Sequence, residues 1–158
     1  MAAAEPAPPA VRGVHHVGMS VADLDAALTF WRRFLGLEPR WRTVLDRPYL
    51  GRHVGYPGVR IDAAFLDLPG GTVLELLDYQ LDGKLPNPEA TANPGNVHLC
   101  LGVDDARAAW ERAVAAGARP VVPEGPVEVD GGPNRGARAS YLRIHDGISV
   151  ELFEPPRP

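Results

Sequence analysis

The sequence predicts an α+β domain made of two βαβββ modules, and three observations lead there. Val14 to Val21 (VHHVGMSV) and Asn96 to Val103 (NVHLCLGV) both alternate in strand fashion. Each is followed by an aspartate and a helix-period segment that a glycine ends: Asp23 to Gly36, and Asp104 or Asp105 to Gly117. Each half closes on an apolar strand with a glutamate inside it, Glu75 in Val-Leu-Glu-Leu-Leu and Glu151 in Ser-Val-Glu-Leu-Phe.

In the first strand Val17, Met19 and Val21 share one face, and His16, Gly18 and Ser20 share the other. The helix after Asp23 carries Leu24, Leu28, Trp31 and Leu35 on one side. Strands are expected near 38–45, 59–68 and 72–79. Asp46 to Gly58 reads as a loop-like insert with aromatic residues. In the second half Val97, Leu99, Leu101 and Val103 face one way, and His98, Cys100 and Gly102 the other. Short strands are expected near 119–122, 139–143 and 148–154. Pro123 to Arg138 reads as a long mobile loop.

The two halves keep register. Seven residues separate His16 from Asp23, and seven separate His98 from Asp105. Gly71 to Asp78 aligns with Gly147 to Glu154, glutamate on glutamate. The expected organisation is a disordered tail over 1–11, a first module over 12–81, a Pro- and Asn-rich linker over 82–94 and a second module over 95–155.

Composition narrows the function classes. A chain of 158 residues suits one compact domain. Its formal net charge of −4 builds no basic face, which argues against nucleic acid as a partner. The single cysteine, Cys100, excludes an internal disulfide and a cysteine-rich zinc site, and suits a reducing cytoplasm. No run approaches the roughly 18 apolar residues that span a membrane. Met1 to Ala10 has neither a basic start nor an apolar stretch, so a secretion signal is not expected.

A carboxylate inside an apolar strand is costly unless something compensates it. One such residue is explained by a nearby arginine or by a solvent-facing side. Two, at equivalent positions and each matched to an inward-pointing histidine, point to one shared purpose. If a pseudo-twofold axis relates the halves, His16, Glu75, His98 and Glu151 converge. Two imidazoles and two carboxylates suit one divalent ion of the Ni, Zn, Co, Mn or Fe kind. Taken singly, each histidine also reads as a satisfied core residue, and each glutamate as a solvent-facing one.

This pattern resembles the vicinal oxygen chelate superfamily, which contains glyoxalase I, methylmalonyl-CoA epimerase, extradiol dioxygenases and the fosfomycin- and bleomycin-resistance proteins. The resemblance covers residues 12–155. It is carried most closely by His16-Val-Gly-Met-Ser-Val21, Ala27, Phe30 and Leu35-Gly36-Leu37, with Trp31 departing from the usual residue. It implies paired modules forming a cupped mixed sheet around a metal, with His16, Glu75, His98 and Glu151 as ligands. It also implies a small-molecule substrate and a homodimer, and leaves open whether one chain or two complete the site.

The superfamily shares a site and varies the reaction. A full His-Glu-His-Glu set resembles glyoxalase I, which implies a lyase or isomerase working by metal-stabilised proton transfer. Glu151 is then the first choice of catalytic base and Glu75 the second. A non-haem Fe(II) dioxygenase is the alternative and needs only His16, His98 and Glu151. Tyr141 fits it, but no histidine precedes Tyr141 in the expected place, and Ile144-His145-Asp146-Gly147 alters the usual turn. A drug-binding protein without catalysis fits less well, since such members lose the ligands. Tyr49, His53 and Tyr56 are candidates to line the substrate pocket, as is Tyr141. Cys100 either borders the site or packs as a small hydrophobe. Arg12, Arg60, Arg135 and Arg138 read as surface charges before anion ligands. His15 is expected to face away from His16, and His145 to be exposed in a turn.

Overall fold

The computed structural model describes residues 10–157. The expected tail lies outside the described residues up to position 9, and Ala10 and Val11 are exposed. The first module is β1 (His16–Ser20), α1 (Leu24–Leu35), β2 (Trp41–Leu45), α2 (Pro48–Val54), β3 (Ile61–Asp67) and β4 (Val73–Tyr79). The second is β5 (His98–Gly102), α3 (Ala106–Ala116), β6 (Arg119–Pro120), β7 (Val127–Glu128), β8 (Arg138–Arg143) and β9 (Ser149–Glu154).

Two mixed sheets of matching topology result, β1-β4-β3-β2 and β5-β9-β8-β6, with β7 also on β8. In each, the first strand runs parallel to the last and the remaining pairs are antiparallel. The two sheets do not join into one; the modules meet mainly through α1, α3 and the turn His145–Gly147.

Local chemistry sets the helix ends. The Asp23 carboxylate accepts from Ala26 N at 2.9 Å, and Asp105 accepts from Ala108 N at 2.9 Å. Each satisfies a first-turn N–H that the helix itself leaves unpaired. Gly36 and Gly117 end the helices in the left-handed region, at φ 71° and 115°. The apolar stripe of α1 lies on the sheets: Leu24, Ala27, Leu28, Trp31 and Phe34 are buried with Leu66, Leu74 and Leu76. Val150 and Leu152 of the second module belong to the same cluster, so both modules share one core. Burying each leucine or phenylalanine there contributes about 1.5–3 kcal/mol.

Several loop expectations are corrected. The insert 46–58 holds a helix, α2, with Pro48 at its first turn and Leu50 anchored among Val59 and Ile61. The stretch 123–138 is tied down rather than loose: β7 pairs with β8, and Val129 N donates to Ala137 O at 2.9 Å. His145 is not exposed but largely covered, its side chain 11% exposed, with its ring edge-to-face against Phe30 at 5.8 Å and Trp31 at 6.4 Å. The next residue, Asp146, takes φ 57° and accepts from Ala22 N at 2.9 Å, which bridges the modules and holds the turn inward.

Candidate metal centre

Across the first sheet one row reads Gly18, Glu75, Phe65, Trp41. Directly opposed residues share a face, so all four point the same way. His16, two residues before Gly18, joins that face. The second sheet repeats the row as Cys100, Glu151, Tyr141, with His98 two residues before Cys100. On β4 and β9 the alternate residues Leu74, Leu76, Val150 and Leu152 are fully buried beneath the helices. Both glutamates therefore leave the core and stand on the open sheet face, which removes most of the cost that their apolar neighbours suggest.

The geometry within each half is the same. His16 Nε2 lies 3.1 Å from Glu75 Oε2, and His98 Nε2 lies 3.1 Å from Glu151 Oε2. The histidine side chains are 40% and 41% exposed and the glutamates 15% and 18%, so the donor atoms are reachable from solvent. Among the described residues, no three His, Cys, Asp or Glu side chains stand close enough to hold one ion. A single chain thus presents two half-sites of two donors each. Their nitrogen and oxygen donors fit a borderline divalent ion, but such an ion takes four or more ligands, which is both pairs together.

The half-sites differ in their surroundings. Beside Glu75 the neighbours are apolar: Gly18 on one side, and on the other Phe65 stacked on Trp41 with centroids 5.1 Å apart. Beside Glu151 they are protic. The Tyr141 hydroxyl lies 3.3 Å from His98 Nε2, and burial, then the nearby Glu151 charge, push its phenol up. Burial, then the same carboxylate, raises the Cys100 thiol to about 11, which keeps it a neutral thiol. Cys100 is exposed on this face and does not pack as a buried hydrophobe.

The remaining candidates sit further out. Tyr49 and His53 lie on exposed positions of α2, and Tyr56 follows it. Tyr56 meets Tyr79 edge-to-face at 6.0 Å, at the far end of the face that carries Glu75. No hydrogen bond among the described residues joins these three to either His–Glu pair. Arg12, Arg60, Arg135 and Arg138 are exposed, and Arg60 pairs with Asp62 at 3.1 Å. His15 does not face away from His16: their ring nitrogens meet at 2.8 Å, because His15 precedes the ladder and escapes its alternation. Phe65, Trp41 and the buried Arg143 were not anticipated. Counting across the β3–β4 hairpin from Glu75 would have found Phe65, given the turn over 68–72.

The profile of the Glyoxalase/Bleomycin resistance protein/Dioxygenase superfamily matches residues 15–138, and the chain belongs to that family. A 2-epi-5-epi-valiolone epimerase from Actinomyces sp is 29% identical over 151 residues, covering 94% of this chain and 82% of that one. A glyoxalase family protein from Bacillus cereus shares the fold with a TM-score of 0.79, at 22% identity over 97% of this chain and 100% of that one. The fosfomycin resistance protein FosX from Listeria monocytogenes, solved with Mn(II) and 1S,2S-dihydroxypropylphosphonic acid, shares it with a TM-score of 0.60. That match has 17% identity and covers 92% and 94% of the two chains.

Proposed function

We propose that the protein is a divalent-metal-dependent isomerase that moves a proton at a carbon beside a carbonyl in a small polyhydroxylated substrate. The observation that carries this reading is the pair of His–Glu half-sites with identical 3.1 Å contacts on equivalent strands. The similarity to an epimerase supports the reaction class. Because one chain offers only two donors per half, the complete site forms when His16 and Glu75 of one copy meet His98 and Glu151 of a second. The bound ion, of the Ni, Zn, Co, Mn or Fe kind, supplies Lewis acidity that eases loss of the proton beside the carbonyl.

The chain's residues do the rest. Epimerisation requires a proton taken from one side of a carbon and returned to the other. Glu151 and Glu75, one from each module, supply a carboxylate on each side. Tyr141 and Cys100 flank Glu151 across the sheet, whereas Glu75 has Phe65 and Gly18 in those places and, among the described residues, only His16 as a polar contact. Tyr141 is placed to donate to a substrate oxygen beside His98. The Phe65–Trp41 stack excludes water next to Glu75 and offers an apolar surface to the C–H face of a ring.

The test is metal analysis of protein purified without air, followed by NMR in deuterium oxide with 2-epi-5-epi-valiolone and with its phosphate ester as substrates. Solvent deuterium entering the substrate, at a rate lost in Glu75→Ala and Glu151→Ala, is the expected result. Full activity and full metal content in Glu75→Ala contradict it. The Tyr141–His98 contact favours a second reading, non-haem Fe(II) oxygenation of an aromatic substrate. Iron in the protein, with oxygen uptake on a catechol and no deuterium exchange, selects that reading instead.

A further inference from the structure

Two charged side chains are buried among the described residues, Arg143 and Glu154. Glu154 is satisfied: it accepts from Ala106 N at 2.9 Å and from Arg157 at 3.3 Å. Arg143, only 8% exposed, has no carboxylate partner among the described residues. Its guanidinium donates to the Ser149 hydroxyl, which in turn donates to Asn96 Oδ1 at 3.3 Å. A hydroxyl orients a guanidinium but does not neutralise it, and buried charges are ordinarily paired.

Its place in the sheet makes the missing charge informative. Arg143 lies opposite Ser149, and Ser149 opposite His98, so all three share the face that carries Glu151. Arg143 is two residues along β8 from Tyr141, about 6.7 Å at strand rise. On its other side it opposes Arg119, whose guanidinium is already paired with Glu89 at 2.5 Å. Ser149, Asn96, His98, Arg119 and Glu89 border one open cleft of about 1190 Å³; Arg143 is not part of its lining and stands behind Ser149, its hydrogen-bond partner. The first module has nothing similar: the residue opposite Val73 in the His16 row is Asp67, exposed and paired with Arg40.

We infer that Arg143, held by Ser149 and flanked by Arg119, is the anion subsite of the His98–Glu151 half-site and takes a carboxylate or phosphate carried by the substrate. This rests on the reading of that half-site as the place of reaction and names its substrate class: a small polyhydroxylated carbonyl compound bearing an anionic group. The planar guanidinium can receive either anion through paired N–H donors. The anion sits about one strand repeat from Tyr141, which leaves room for a short carbon skeleton between it and the His–Glu pair.

The test is calorimetric titration of the full chain, as purified and again after chelation, with glucose, inorganic phosphate and glucose 6-phosphate. Glucose 6-phosphate is expected to bind, glucose not to, and Arg143→Gln to weaken the phosphate ester at least tenfold, with Arg143→Lys intermediate. Tighter binding of glucose 6-phosphate than of inorganic phosphate assigns the anion to a substrate; equal affinity for the two overturns that assignment. If Arg143→Gln does not fold, the Arg143 side-chain N–H resonance of the wild-type chain is followed by NMR during the same titration. A shift that saturates with the calorimetric curve supports the subsite, and an unmoved resonance, or equal affinity in wild type and Arg143→Gln, overturns it. Because the chelated protein is titrated directly, an anion site persists in this assay even where the isomerase reading fails.

Discussion

Tyr141→Phe removes one oxygen and leaves the ring, and Phe65 at the equivalent position of the first sheet shows that this place in the fold accepts a phenyl group. The lost hydroxyl stands 3.3 Å from Nε2 of His98, whose imidazole is paired with the Glu151 carboxylate at 3.1 Å. Hydrogen bonds to charged groups contribute about 1.5–3 kcal/mol. A separation of 3.3 Å is longer than the usual distance for a hydroxyl donor, so the lower end applies. About 1.4 kcal/mol corresponds to a tenfold loss of rate. The expected outcome is a fall of about tenfold in kcat/KM for deuterium-reporting isomerisation, with the melting temperature nearly unchanged. The reciprocal Phe65→Tyr places a hydroxyl beside Glu75 and is expected not to restore the rate when combined with Tyr141→Phe. A single variant Tyr141→Phe within twofold of wild type, or one whose loss is matched by unfolding, refutes the role of the hydroxyl.

Two further outcomes are expected. Gly51→Ala puts a Cβ 2.8 Å from Tyr56 O and 2.9 Å from Pro57 Cα, so α2 must move away from the Tyr56–Pro57 turn and draw Leu50 off Val59 and Ile61. That overpacking costs about 1–3 kcal/mol in a denaturant titration, whereas Gly131→Ala, with open space around it, is expected to be neutral. Burial against Phe30 and Trp31 pushes His145 below its usual range, against the smaller opposing pull of Asp146. The unfolded chain then binds the proton first, so stability is full above a pH of about 6.5 and falls as pH drops towards the folded value, by at most about 1.4 kcal/mol per pH unit. Urea titrations between neutral and mildly acidic pH measure this slope, and His145→Phe is expected to reduce it; an unchanged slope assigns it to other groups.

Much of the framework could be read from the chain because short-range chemistry decides it. Asp23, Gly36, Asp105 and Gly117 fix both long helices through caps that depend on nearby residues alone. The two His–Glu pairs were visible because an alternation and its repeat put each histidine on the open face. What stayed hidden depends on distant partners. The helix α2 is seven residues long and is held by Leu50 reaching Val59 and Ile61, not by its own period. His145 is largely covered because the Asp146 carboxylate reaches Ala22, 124 residues away, and draws the turn onto α1. Arg143 is one of many arginines in the sequence, and only its seat between β6 and β9 separates it from Arg135 or Arg138. The separation of the half-sites was equally hidden, because equal register specifies two modules of one design and leaves their docking open.

That separation makes the central claim testable by mixing. One chain carries His16→Ala and Glu75→Ala, and the other carries His98→Ala and Glu151→Ala; each is inactive alone. If the site forms between two copies, random pairing makes half of the dimers mixed, and each mixed dimer has one of its two sites whole. Refolding the two together is then expected to restore about one quarter of wild-type activity and one quarter of its metal content. A mixture as inactive and as metal-poor as its components contradicts the shared site.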